Sequence, residues 1–158
     1  MNTPIPTRLS RHALGTLLVA VQAALMLALA VPAVPAFLAG DAPGAAWLLA
    51  AAGILLGLWA VSCNRPGNFN VRPTPHPSGQ LVQHGPYRSI RHPMYTAVIA
   101  CALAAAAAAA VLWAWLVVLA LVAVLAVKSV FEERWMSERH SAYAAYRQRT
   151  RRFLPGLF

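Results

Sequence analysis

Charge is absent from three long stretches of this chain, residues 12–40, 42–64 and 92–127, while polar residues crowd the segments around them. About twenty consecutive apolar residues cross a bilayer as a helix, so the pattern predicts an all-α protein with three or four membrane spans. The first two runs place span 1 at residues 13–38 and span 2 at residues 45–62. The third run is too long for one ordinary span. Its residues 94–127 number 34, roughly 51 Å as a single helix against ~30 Å of hydrocarbon. A hairpin of two short or tilted helices, spans 3 and 4, fits better, with its turn near residues 107–113. No glycine or proline marks that turn. The alanine tract at residues 104–110 reads in two ways. Small side chains permit close helix contact in lipid, or the tract reflects bias in an alanine-rich chain.

Composition agrees with the pattern. Of 158 residues, 59% are hydrophobic and only 11% charged, and no soluble core of this size hides so much apolar surface. The chain is therefore read as a single membrane domain. Its 13 Lys and Arg all fall on one side of a four-span arrangement. Arg8 and Arg11 precede span 1. Arg65, Arg72, Arg88 and Arg91 lie between spans 2 and 3, and Lys128 and the arginines at 134–152 follow span 4. The loop between spans 1 and 2 carries only Asp41. The positive-inside rule makes the basic side cytoplasmic, with both termini there. The net charge of +9 is first a topology signal, and it also favours anionic lipid headgroups. No basic recognition element of a nucleic-acid-binding module is present, and nothing points to a protein partner.

Arg8, Arg11, the apolar stretch and "AVPAVPA" also suit a cleaved signal peptide. The apolar stretch at 13–31 is longer than a usual signal core, and cleavage would leave an odd number of spans, so a retained span is preferred. Cys63 and Cys101 lack metal-ligand spacing and are read as small apolar side chains. No metal is expected.

The polar residues gather in two places. One is the segment at 63–93, rich in Pro, Gly and Asn, which cannot be continuous helix; "RPGNFNVRPTPHPSG" reads as an extended, tethered loop. The other is the tail at 128–158, where Glu132, Glu133 and Glu138 are the only acids besides Asp41. The bland reading of Glu132 and Glu133 is a solvated helix turn paired locally with Lys128 and nearby arginines. The hairpin, however, returns the chain to the level where span 3 began. "GPYRSIRHPMY" and "KSVFEER" are then neighbours. A cavity between them has aromatic faces, a histidine, loop backbone and two carboxylates, and it opens sideways to lipid. It suits a cationic or zwitterionic cofactor and a lipid-like substrate.

These residues carry a resemblance. "LVQHGPYRSIRHPMY", an apolar hairpin, "EER" and "YAAYRQRTRRFLP" together resemble the isoprenylcysteine carboxyl methyltransferase and phospholipid methyltransferase superfamily, across residues 72–155. The resemblance, closest to the small bacterial-type members, implies an inner-membrane enzyme. It implies S-adenosylmethionine bound at the cytoplasmic face and methyl transfer to a lipophilic, isoprenoid- or lipid-like substrate entering from the bilayer. By the same resemblance, Gly79, Gln80, Leu81 and Val82 form a cofactor-contacting strip. Tyr87 is the motif tyrosine, His92, Pro93, Met94 and Tyr95 are the His-Pro-x-Tyr cofactor segment, and Glu132 is the acidic cofactor ligand with Glu133 as its companion. Lys128 stands where the prenylcysteine enzymes place an arginine against the substrate carboxylate. Lysine keeps the charge but not the two-pronged geometry. Ala97 stands where the family often has glycine.

Methyl transfer from a sulfonium needs positioning and water exclusion more than acid–base groups, so no catalytic residue, triad or metal is assigned. NADPH-dependent sterol and steroid reductases share the "RHP-x-Tyr" and acidic-pair pattern. They continue Tyr-x-Gly-Glu, where this chain reads Tyr95, Thr96, Ala97, Val98. A non-catalytic membrane protein that retains the fold is the third reading.

Overall fold

A computed structural model describes residues 8–64 and 80–155, with side chains from residue 13 onward. Residues 65–79 of the loop at 63–93, Gly79 among them, lie outside the described residues. The described residues form five helices: α1 (Arg8–Ala39), α2 (Gly44–Cys63), α3 (Pro93–Ala109), α4 (Leu112–Arg139) and α5 (Tyr143–Arg149). They contain no strand, only an isolated parallel bridge between Ile90 and Arg151.

Each break between helices has a local cause. Helix α1 ends in a Schellman motif around Gly40, whose φ of +79° suits a residue without Cβ. Gly40 N–H donates to Phe37 O at 3.2 Å, and Asp41 N–H donates to Ala36 O at 2.9 Å. Phe37 and Trp47 then meet edge to face at 4.8 Å and close the α1–α2 turn. The long third run divides at Ala110, which adopts a left-handed φ of +53° without being glycine. An alanine there is strained by about 1–2 kcal/mol. Ala110→Gly is therefore expected to raise stability by about 1 kcal/mol, less glycine's extra chain entropy, read as a higher melting temperature in detergent.

Three helices, Ala13–Ala39, α2 and α4, are long and apolar enough to cross a membrane. Helix α3 has 17 residues, ~26 Å, and is shorter than ~30 Å of hydrocarbon. The expectation of about four spans thus becomes three long helices and a short apolar one. Helix α4 also runs on past Val127 without interruption to Arg139. Residue 128 is no structural boundary, because residues 128–139 contain neither Gly nor Pro to stop the helix. Lys128, Glu132 and Glu133 consequently sit on a rigid helix rather than in a tail.

Helix α3 packs against α1, α2 and α4. Ala102, Ala104, Ala106 and Ala108 are all buried; Ala102 and Ala106 share a cluster with Leu29 of α1, and Ala108 shares one with Ala46 of α2. The alanine tract is thus a contact surface on several sides. The closest approach is between α2 and α3. A Cβ on Gly53 would lie 2.7 Å from Cys101 Sγ and 2.9 Å from Ala97 O, and one on Gly57 would lie 3.5 Å from Ala97 Cβ. Gly53 and Gly57 form a small-xxx-small face on α2. The room that a glycine at 97 would provide comes instead from the facing helix. Large side chains such as Leu27, Leu48, Leu55, Leu58, Leu116 and Leu119 point outward, as lipid-facing residues do.

Candidate functional site

The site lies where the start of α3 meets the far end of α4. Pro93 opens α3 with its preset φ, and the carbonyl of His92 accepts from the N–H groups of Tyr95 (3.0 Å) and Thr96 (3.1 Å). Before it, residues 85–88 form a 3₁₀ turn that carries Tyr87. Gly85 starts this turn at φ +59°, and a Cβ there would strike Cys63 Sγ at the end of α2.

The C-terminal residues are laced onto this loop. Arg151 N–H donates to Ser89 O (3.0 Å), Arg91 N–H to Arg151 O (2.7 Å) and His92 N–H to Arg152 O (3.1 Å). Thr96 Oγ1 donates to Phe153 O at 2.7 Å and Tyr146 Oη to Tyr87 O at 2.7 Å. Asn64 Nδ2 donates to Tyr87 Oη at 2.8 Å. Burial pushes the Tyr87 phenol up to about 12 despite the bond from Asn64, so it stays protonated at neutral pH.

Glu132 and Glu133 are neighbours in sequence but point about 100° apart around the helix. Glu133 is the hub of an ion cluster, its side chain only 5% exposed. Its Oε1 accepts from Arg91 Nε at 2.9 Å and Arg152 Nε at 3.1 Å and lies 3.2 Å from His92 Nε2. Its Oε2 accepts from Arg152 Nη2 at 3.2 Å, with Arg147 Nε at 3.8 Å. Arg91 also holds the carbonyls of Arg147 and Thr150. The arginines at Glu133 therefore come from distant segments, not from the neighbouring helix turns that local pairing called for.

Glu132 is different. Its side chain is 35% exposed, Tyr95 Oη donates to its Oε2 at 2.9 Å, and His92 Nδ1 lies 3.6 Å from the same oxygen. Among the described residues, no arginine reaches it. His92 and Tyr95 stack in parallel, 5.2 Å between ring centres at 6°. Lys128, one helix turn before Glu132, is 1% exposed. Its Nζ donates to Gln22 Oε1 of α1 at 2.6 Å and sits 5.1 Å from the centre of the Tyr95 ring.

The structure thus brings His92, Tyr95, Lys128, Glu132 and Glu133 into one cluster, with Tyr87 close enough to feel the charge of Glu132. Pro93 is buried as the first residue of α3, and Met94 follows it half-buried. Gln80, Leu81 and Val82 lie in the irregular segment leading to the turn, where Gln83 accepts from Arg149. Arg91, Arg152 and Gln22 were not singled out as site residues by sequence reasoning. Gln22 carried a signal, since an amide inside an apolar span needs a partner.

His92 is buried between two carboxylates. Burial alone lowers its pKa, but Glu132 and Glu133 outweigh it and hold the imidazole above its ordinary value. A raised folded-state pKa contributes stability that is fully present below the unfolded value of about 6.5 and is lost as pH rises through the folded value. The melting temperature is therefore expected to fall as pH rises from 6 to the alkaline range, and His92→Asn to flatten that slope.

A family model described as phospholipid methyltransferase matches residues 44–143, more than half of the chain. No curated protein and no solved structure matches it. The matched region runs from the start of α2 to the first residue of α5 and contains His92, Tyr95, Lys128, Glu132 and Glu133. With three helices long and apolar enough to cross a membrane and with this match, the chain belongs to the phospholipid methyltransferase family, within the superfamily that includes the isoprenylcysteine carboxyl methyltransferases.

Proposed function

We propose that the protein is an S-adenosylmethionine-dependent methyltransferase acting on a lipophilic acceptor, isoprenoid- or lipid-like, that reaches it from the bilayer at the cytoplasmic face. The observation that carries this reading is the contrast between the two glutamates. Glu133 is saturated by Arg91, Arg152 and His92. Glu132 is accessible, bonded to one phenol and flanked by parallel His92 and Tyr95 rings. A carboxylate beside aromatic faces fits a cofactor with an ammonium and a sulfonium. The donor set thus suits S-adenosylmethionine, with Glu132, Tyr95 and Tyr87 as the residues that would hold it. Gly79, Gln80, Leu81, Val82, His92, Pro93 and Met94 would complete the enclosure, and Glu133 would act by fixing the wall.

When bound, the cofactor supplies a methyl group already activated on sulfur. The chain's own task is binding, orientation and exclusion of water. Glu132 offsets positive charge, and Tyr95 fixes the carboxylate. His92, with one ring nitrogen 3.2 Å from Glu133 and the other 3.6 Å from Glu132, serves as a positioning residue between the two carboxylates. Lys128 offers one point charge toward an anionic acceptor, in exchange for its bond to Gln22. A lysine does not reproduce the forked grip of an arginine on a carboxylate, which argues against a prenylated protein as the acceptor of an isoprenylcysteine carboxyl methyltransferase-like reaction.

Calorimetry on the detergent-purified protein tests the assignment. S-adenosylmethionine and its demethylated product are expected to bind and NADPH is not. Binding of NADPH alone would replace the methyltransferase with a reductase, and binding of none of the three would leave a non-catalytic membrane protein.

A further inference from the structure

A second site lies on the other side of Glu133. A cavity of about 480 Å³ opens between α4 and the C-terminal segment, lined by Val130, Arg134, Ser137 and Glu138 of α4 with Arg147 and Arg152. Glu133 also lines it, and that carboxylate already holds Arg152 by two bonds and meets Arg91 and His92. Arg134 and Arg147 face the cavity beside Glu138, while the fork of Arg152 is held by Glu133, and Arg147 is 60% exposed. A guanidinium fork matches phosphate oxygens.

The same face of α4 continues into the apolar region. Leu116, Ala120, Ala123, Val127, Val130 and Arg134 recur every third or fourth residue and are all exposed. An apolar lane thus ends at a cluster of arginines, as an acyl chain ends at a charged headgroup. Lys128 and Glu132 lie on another side of the helix, so this surface is separate from the proposed cofactor pocket and does not rest on that assignment.

We infer that the cavity at Arg134 and Arg147 seats the phosphate of an anionic phospholipid whose acyl chain lies along the exposed face of α4. Native mass spectrometry tests this on the full chain released from detergent and titrated with phosphatidylglycerol or phosphatidylcholine. Phosphatidylglycerol has no nitrogen and that of phosphatidylcholine is already fully methylated, so neither lipid is turned over at nitrogen. Phosphatidylglycerol is expected to bind at least tenfold more tightly. The double variant Arg134→Gln/Arg147→Gln is expected to lose about twenty-fivefold in phosphatidylglycerol affinity, about fivefold per charge. Arg88→Gln, an exposed arginine elsewhere, is expected to change nothing, and the melting temperatures of all variants are measured to confirm folding. Equal binding of the two lipids, an equal loss in Arg88→Gln, or an unchanged double variant would overturn the site. Displacement of phosphatidylglycerol by millimolar inorganic phosphate with the same arginine dependence would assign the cavity to free phosphate and overturn the lipid.

Discussion

Replacing Glu133 with alanine is expected to destabilise the protein by about 3–5 kcal/mol, because a buried histidine and two half-buried arginines would be left around an absent charge. The arithmetic of the cluster makes this the most sensitive position for the fold. Arg91, 9% exposed, comes from the loop before α3, and Arg152 comes from the C-terminal segment. Glu133 on α4 is thus the point where three separate pieces of chain are tied. The backbone bonds from Arg91 to Arg151 and from His92 to Arg152 depend on the same alignment. Thermal unfolding in detergent should show a large fall for Glu133→Ala, a smaller one for Glu133→Gln, and almost none for the exposed Asp41→Ala. A Glu133→Ala protein that melts with the wild type would show that the cluster contributes nothing net.

Glu132→Ala should behave in the opposite way, folding normally while losing the cofactor. Removing the carboxylate partner of a desolvated cation costs about 2–5 kcal/mol, so affinity for S-adenosylmethionine is expected to drop roughly thirtyfold or more. Tyr95→Ala removes both the hydroxyl on Glu132 and the ring beside His92 and should be comparably severe. Tyr95→Phe keeps the ring and should cost about tenfold at most. Asp41→Ala, in the turn between α1 and α2, should leave affinity unchanged. Calorimetric titration of the four variants reads this directly. Equal losses in Glu132→Ala and Asp41→Ala would mean that the effect is not local to the pocket.

The two glutamates show where the sequence was informative and where it was not. The helices were legible because uncharged runs of twenty or more residues have few alternatives in a bilayer. The turn at Ala110 was not legible, since alanine in a left-handed conformation carries no composition signal; only the length of the run required a break. The close packing of α2 on α3 was present as Gly53 and Gly57, but it was lost among the many small residues of the chain. Local spacing offered Lys128 and neighbouring arginines as partners for Glu132 and Glu133. The actual partners of Glu133 stand 42 and 19 residues away, beyond what periodicity can reach. Lys128 was legible as a conspicuous charge at the end of an apolar run, but its bond to Gln22 joins helices 106 residues apart in sequence. The different tasks of Glu132 and Glu133 follow from a rotation of one residue around α4, and only the placement of Arg91 and Arg152 reveals which face is which.

The central claim is that Glu132 and its aromatic neighbours hold a methyl donor beside a lipophilic acceptor. Its most direct test uses membranes that contain the protein, incubated with S-adenosylmethionine labelled in the methyl group, followed by organic extraction. Label is expected in the extracted lipid fraction with the wild-type protein and is expected to vanish with Glu132→Ala, although that variant remains folded and membrane-inserted. Label appearing equally in lipid from Glu132→Ala membranes, or in no lipid from wild-type membranes that bind the donor, would contradict the account.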